Sequence, residues 1–253
     1  MDITTGLLLL LIGLLSGGYG VIVGAGGGFV FVPALLIIFQ YDPKIAAGTG
    51  LVVVLLNSLS GIAGYIKHKR IDYKIGLTLS IGAIPGTFLG TWILQYTSSD
   101  MYYILFAGVL LALGVFLLIK KAPTNKGILE VTTKQKDKSL AYILIGLILG
   151  TISSFFGIGG GWLLVPILIY VFNIAPHKAT ATSLFSLSLY SSVGVISQIS
   201  YGNIDWSVVF LGGAGVIIGA QFGVLLSNRI SGRFIIQMLS MLLIAVSIKL
   251  FFI

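Results

Sequence analysis

Apolar stretches of near twenty residues recur along this chain from end to end, and that repetition limits its fold more than any other feature. Segments bounded by turn residues and charges fall near 5–23, 29–40, 45–66, 75–96, 101–119, 139–156, 162–172, 179–199, 207–227 and 234–252. As a helix, roughly twenty such residues cross the ~30 Å hydrocarbon layer of a bilayer. Charged residues make up 9% of the 253, against about a quarter in soluble domains. The expected fold is therefore all-α, a polytopic membrane protein. Segments 29–40 and 162–172 are too short to cross alone, and each follows a glycine cluster. They read as half-helices or re-entrant pieces, which leaves eight to ten full spans. The N-terminus lacks the positive region of a secretory signal, and its apolar run reads as structure.

Composition also narrows the chemistry. With no cysteine, two histidines and seven acids, there are no thiolates for nucleophilic attack or zinc ligation, and little to build any catalytic metal site. Catalysis is not expected, nor is a cofactor. The formal charge of +8 does not point to nucleic acid, because the lysines and arginines collect in short segments between apolar runs, where they report topology.

Shifting the chain by 133 residues aligns 13–90 with 146–223 without a gap, with 25 identities in the 78 pairs. Such self-similarity marks a duplication: a membrane repeat over 1–120, a basic linker over 121–138, and a second repeat over 139–253. The matches fall on punctuating residues. Gly24, Gly26, Gly27 and Gly28 align with Gly157, Gly159, Gly160 and Gly161; Pro33 aligns with Pro166, Pro43 with Pro176, Thr49 with Thr182 and Asp72 with Asp205. The charges at equivalent loops disagree. Lys67, His68, Lys69 and Arg70 correspond to Ser200, Tyr201, Gly202 and Asn203, whereas uncharged Thr97, Ser98 and Ser99 correspond to the turn holding Arg229 and Arg233. Placing 67–74, 120–138, 174–178 and 228–233 in the cytoplasm accounts for 13 of the 15 basic residues and leaves both termini outside. A reversed charge bias at equivalent loops is what inverted-topology repeats produce, and such repeats are common in transporters.

Each glycine cluster opens a short apolar helix with a proline five residues after the last glycine. Without side chains in the way, several N–H groups at a helix start can point at one anion, and the helix dipole adds about half a positive charge. Gly24, Gly26, Gly27, Gly28, Gly157, Gly159, Gly160 and Gly161 are therefore candidate binding positions. The alternative is that they serve only tight turns or close packing. On the following helices, Thr49 and Asn57 lie on one i+4 stripe, and Thr182, Ser186 and Tyr190 on its counterpart, with Ser183 beside them. They are candidate neutral donors to an oxoanion, with interhelical hydrogen bonding as the competing role. Ser58, Ser191 and Gln198 lie nearby. Asp72 and Asp205 precede new apolar segments and read as helix caps. The remaining acids lie at termini or loops, so an acid-built ion site in the membrane interior has no support.

At these residues the chain resembles the TauE/SafE sulfite exporter family, also known as the toluene sulfonate uptake permease family. The resemblance rests on the glycine-rich elements with their prolines at 24–33 and 157–166, the A-x-x-T elements at 46–49 and 179–182, and the I-D-aromatic elements at 71–73 and 204–206. It covers nearly the whole chain. It implies an anion carrier of a bacterial or archaeal cytoplasmic membrane, handling sulfite, sulfonates or related organosulfur compounds; combined with the inverted repeats, the expectation is a secondary transporter working by alternating access. Its partners would be that small anion and the lipid bilayer. A passive anion channel on the same scaffold is the alternative, and proton coupling and homo-oligomer formation stay open.

Overall fold

The structure, a computed structural model, describes residues 2–67, 69–119, 139–227 and 229–251. The basic linker expected at 121–138 lies outside them, as does His68. The described residues form helices and no strand: α1 (Ile3–Val23), α2 (Gly28–Ile37), α3 (Pro43–Lys67), α4 (Tyr73–Tyr96), α5 (Ser99–Ile119), α6 (Ser139–Phe156), α7 (Gly161–Tyr170), α8 (Pro176–Ser200), α9 (Trp206–Ser227) and α10 (Gly232–Phe251). Eight of these are long and apolar enough to cross a membrane. The two exceptions, α2 and α7, have ten residues each, about 15 Å at the helical rise, or half the hydrocarbon thickness. Both stop two or three residues before their apolar runs do. The chain turns at Gln40 and Asn173, which carry φ of 54° and 56°, to enter α3 and α8 through Pro43 and Pro176, residues suited to a first helical turn. Asp72 caps α4 by accepting from the Ile75 N–H at 3.2 Å, and Asp205 caps α9 by accepting from the Ser207 and Val208 N–H groups at 2.9 and 3.2 Å.

The helices that pack together are not consecutive halves of the chain. α1 lies along α9 and α6 along α4, while α3 also packs on α9 and α8 on α4. Tyr102 of α5 donates to the Phe156 carbonyl of α6, and Tyr19 of α1 to the Met238 carbonyl of α10. One bundle thus holds α1, α2, α3, α9 and α10, and the other α4 to α8. Glycine seams make the close pairs. Gly82, Gly86 and Gly90 sit against the backbone of Ile143, Leu147 and Thr151, and Gly215, Gly219 and Gly223 against that of Leu10, Leu14 and Gly18. Each contact recurs at the 133-residue shift, and small residues are what allow such helix backbones to approach.

The bundles meet mainly where α3 crosses α8 and where α5 lies on α10. Gly61 approaches Leu184 while Gly194 approaches Leu51, so α3 and α8 run antiparallel. Ser247 donates to the Ala107 carbonyl at 2.8 Å and Gly114 faces Ile244, so α5 and α10 do as well. The connections segregate accordingly. At one end the Lys178–Asp72 ion pair, 3.2 Å, joins the start of α8 to the α3–α4 connection, and Gly64 meets Val224 near the end of α9. At the other end Lys44 Nζ donates to the Gln95 carbonyl and Tyr41 to the Asp205 carboxylate, both at 2.9 Å. Large apolar side chains such as Leu15, Phe88, Trp92, Phe210 and Leu225 stay exposed on the outer surface, the lipid-facing perimeter of a multi-pass membrane protein.

Candidate functional site

The two glycine breaks touch. α1 ends at Gly24 and α6 at Gly157, both in the left-handed region with φ of 78° and 69°, where a side chain would be strained. Neither has room for one. A methyl on Gly24 would sit 2.6 Å from Thr180 Cα of α8, and one on Gly157 would collide with the Ala47 backbone of α3. Further along, a methyl on Gly28 would lie 2.7 Å from Ile158 Cα, and one on Gly161 would strike the Gly24 carbonyl and lie 2.8 Å from Ala25 Cα. The first residue of each short helix therefore packs on the loop of the opposite break, inside the molecule and at the interface of the two bundles. α2 then runs toward the end holding Tyr41 and Asp205, with Phe31 against Gly212, and α7 runs the opposite way. Val54 and Leu187, equivalent residues of α3 and α8, press on both Gly26 and Gly159 and fill the space between the loops.

Asn57 and Tyr190 occupy equivalent places, each over its own break. A methyl on Gly27 would lie 2.7 Å from Asn57 Nδ2, and one on Gly160 would lie 2.6 Å from the Tyr190 hydroxyl. Their bonding differs. The Gly160 N–H donates to the Tyr190 oxygen at 3.1 Å, whereas Asn57 is fully buried and both its amide atoms lack a partner. Gly27 and Gly160 differ with them, having φ of 75° and −84°. Ser16 donates to the Gly27 carbonyl at 2.7 Å, so the Gly27 loop is fixed without help from Asn57. Further buried donors without partners surround the breaks: Ser58, whose Oγ lies 3.5 Å from a methyl built on Gly26, and its equivalent Ser191; Ser153 and Ser154 at the end of α6; and the Trp162 indole N–H at the start of α7. Unsatisfied buried polar groups each cost about 1–3 kcal/mol, so such a cluster calls for a role.

The hydroxyls of the stripes are mostly engaged. Thr49 accepts from the Asp205 N–H and Thr182 from the Asp72 N–H, both at 3.0 Å. Ser183 donates to the Gly24 carbonyl at 2.8 Å, and Ser186 to the Gly76 carbonyl at 3.0 Å. Of the expected site residues, the structure brings Gly26, Gly27, Gly28, Asn57, Gly159, Gly160, Gly161 and Tyr190 to the breaks themselves. Gly24 and Gly157 form their outer corners, Ser183 holds one corner, and Thr49, Thr182 and Ser186 tie helices together further out. Ser153 and Trp162 were not among the expected residues. Their signal was faint, a polar atom next to a glycine break within an otherwise apolar run.

The family described as Sulfite exporter TauE/SafE matches residues 9–250, a stretch that includes both breaks and both stripes. The chain belongs to the TauE/SafE family. Among its relatives is the probable membrane transporter protein YunE of Bacillus subtilis, 31% identical over 97% of this chain and 97% of its own length. Another, the probable membrane transporter protein MJ0441 of Methanocaldococcus jannaschii, is 30% identical over 93% of this chain and 91% of its own. A third, YjnA of Bacillus subtilis, carries the same description at 28% identity. No solved structure matches. This TauE/SafE protein is thus a multi-pass membrane transporter.

Proposed function

We propose that this protein is a secondary transporter that moves small sulfur-containing anions, such as sulfite or sulfonates, across the cytoplasmic membrane. The observation that carries the reading is the packing of each short helix start, α2 and α7, on the loop of the opposite break, beside the unpartnered Asn57 amide. The early N–H groups of a helix have no intrahelical acceptor and carry its positive dipole end. Two such ends, with neutral donors from Asn57, Ser58 and Ser191, hold an oxoanion without a buried cation. A lysine or arginine there would cost several kcal/mol to bury and would release its anion slowly. In this reading the repeats have inverted topology, the Arg70 end is cytoplasmic and both termini are outside. The moving parts are the two interleaved bundles, which rock about the α3–α8 crossing and expose the breaks to one side at a time.

Purified protein in liposomes tests this. Saturable sulfite, sulfoacetate or taurine flux with counter-transport is expected. Flux that does not saturate indicates a channel, and no protein-dependent movement of any sulfur anion removes the substrate class. Asn57→Leu should raise the half-saturating concentration; an unchanged value takes the amide out of the path.

A further inference from the structure

Resting on that reading, we infer that Arg70 is an anion-capture site at one mouth of the transport path, and that Asn203, its equivalent at the opposite mouth, is not. Arg70 lies in the α3–α4 connection, where the chain passes from one bundle to the other. Its Nη1 nitrogen is cut off from solvent and has no hydrogen-bond partner. The nearby carboxylate, Asp72, is taken up by Lys178 at 3.2 Å and by the α4 cap. Arg70 lies within electrostatic reach of Tyr65 of one bundle and His177 of the other. The glycine break is close below. Tyr65 donates to the Val21 carbonyl at 3.2 Å, three residues before Gly24, and Thr180, which packs on Gly24, donates to the His177 carbonyl at 3.0 Å. A guanidinium with a buried, unpaired donor on the route to a break is suited to an oxoanion, which it binds through charge-assisted hydrogen bonds.

The equivalent residue at the other end is Asn203, and it is satisfied. Its side-chain amide donates to Gln198 Oε1 at 2.7 Å, and Gln198 donates to the Ser154 carbonyl at 3.0 Å. That second bond stands where Tyr65 bonds Val21, so the scaffolds of the two mouths correspond while their charge does not. The anion should therefore bind more tightly from the Arg70 side.

The test measures sulfite half-saturation from each side, using right-side-out and inside-out vesicles holding wild type, Arg70→Gln, Arg70→Lys or Asn203→Arg. Arg70→Gln should raise the value about ten- to a hundredfold on its own side and leave the other within about twofold; Arg70→Lys should fall between; Asn203→Arg should lower the value on the far side. Equal effects of Arg70→Gln on both sides, or none, overturn the inference while leaving transport intact. Should wild type move no sulfur anion, the functional reading fails, and thermal shifts of the purified protein with sulfite, sulfate, phosphate and chloride decide the site separately. Stabilisation by an oxoanion that disappears in Arg70→Gln, with the unliganded melting point unchanged, upholds it; equal shifts in both proteins overturn it.

Discussion

Replacing Gly161 by alanine isolates the contact between the breaks. The position is helical and needs no left-handed φ, so the substitution adds no backbone strain, and alanine is the better helix former by about 1 kcal/mol. What it adds is volume in an occupied place. The new methyl would collide with the Gly24 carbonyl and lie 2.7 Å from Leu187 Cδ1 and 2.8 Å from Ala25 Cα, where carbon atoms normally stand 3.5–4.0 Å apart. Leu187 can rotate away, but Gly24 and Ala25 are main chain, so the opposite break must retreat by roughly 1 Å. Overpacking of this kind costs about 1–3 kcal/mol, and at about 2–4 °C per kcal/mol for a chain this long the melting temperature should fall by several degrees. Gly108→Ala is the control. It lies on the exposed face of α5 with nothing within 4 Å of the added methyl, and should leave the protein unchanged or slightly more stable. Thermal unfolding in detergent and sulfite flux in liposomes report the two effects. A Gly161→Ala protein that melts and transports like the control would refute the claim that the breaks are in contact.

Asn57→Leu should stabilise the protein by about 1–3 kcal/mol, since it removes a buried amide that meets no partner, while impairing transport; a loss of stability would show that the amide is satisfied. Thr49→Val and Thr182→Val each leave a backbone N–H, of Asp205 and Asp72, without its acceptor. Each should cost about 1 kcal/mol or more in thermal unfolding, and the double variant should show the sum because the bonds lie at opposite ends. Burial, followed by the hydrogen bond and charge of Asp205, pushes the Tyr41 phenol up to about 12 from its ordinary 10.0. A phenol raised on folding adds stability that is complete below pH 10 and disappears as pH climbs through 12. Tyr41→Phe should flatten that part of the stability profile, and an unchanged slope would remove the phenol as its source.

Much of the fold was legible because hydrocarbon imposes a length and glycine imposes a place. The apolar runs gave the helices to within a few residues, and the four-residue spacing of Gly82, Gly86 and Gly90 on α4 is that of a packing seam. What the sequence left unreadable was which helix lies on that seam. The partner of α4 is α6 of the other half, through the Ile143, Leu147 and Thr151 backbone, and no periodicity in α4 distinguishes that neighbour from another apolar helix. The site was legible to the same depth. In-register duplication marked Gly24 to Gly28 and Gly157 to Gly161, but the hydroxyl stripes could not reveal whether an oxygen is free or already bonded. Thr182 and Asn57 read alike as polar residues on a face; the structure gives Thr182 the Asp72 N–H and Asn57 nothing. That difference depends on the α3–α4 connection folding back onto α8, a tertiary event with no local signal.

The distribution of bonds bears on how such bundles could move. Within each bundle the helices are locked by backbone-to-backbone glycine seams, and the Thr49–Asp205 and Thr182–Asp72 bonds also lie inside single bundles. Across the interface the ties are fewer: Ser247 of α10 donates to the Ala107 carbonyl of α5, and two further bonds lie toward opposite ends. Ser183 holds the Gly24 corner, on the Arg70 side, and Gly50 stands in its place at the Gly157 corner, where Lys44 instead reaches the Gln95 carbonyl near the far end. A hydrogen bond of this kind is worth about 0.5–1.5 kcal/mol net. Opening the Arg70 side would break the Ser183–Gly24 bond and leave the Lys44–Gln95 and Ser247–Ala107 bonds, together with Val54 and Leu187 over the breaks. Opening both sides at once would break all of these ties and separate the apolar contacts between them. Under the proposed alternating-access reading the two sides open in turn, and saturable exchange in the flux assay is the outcome that reading requires.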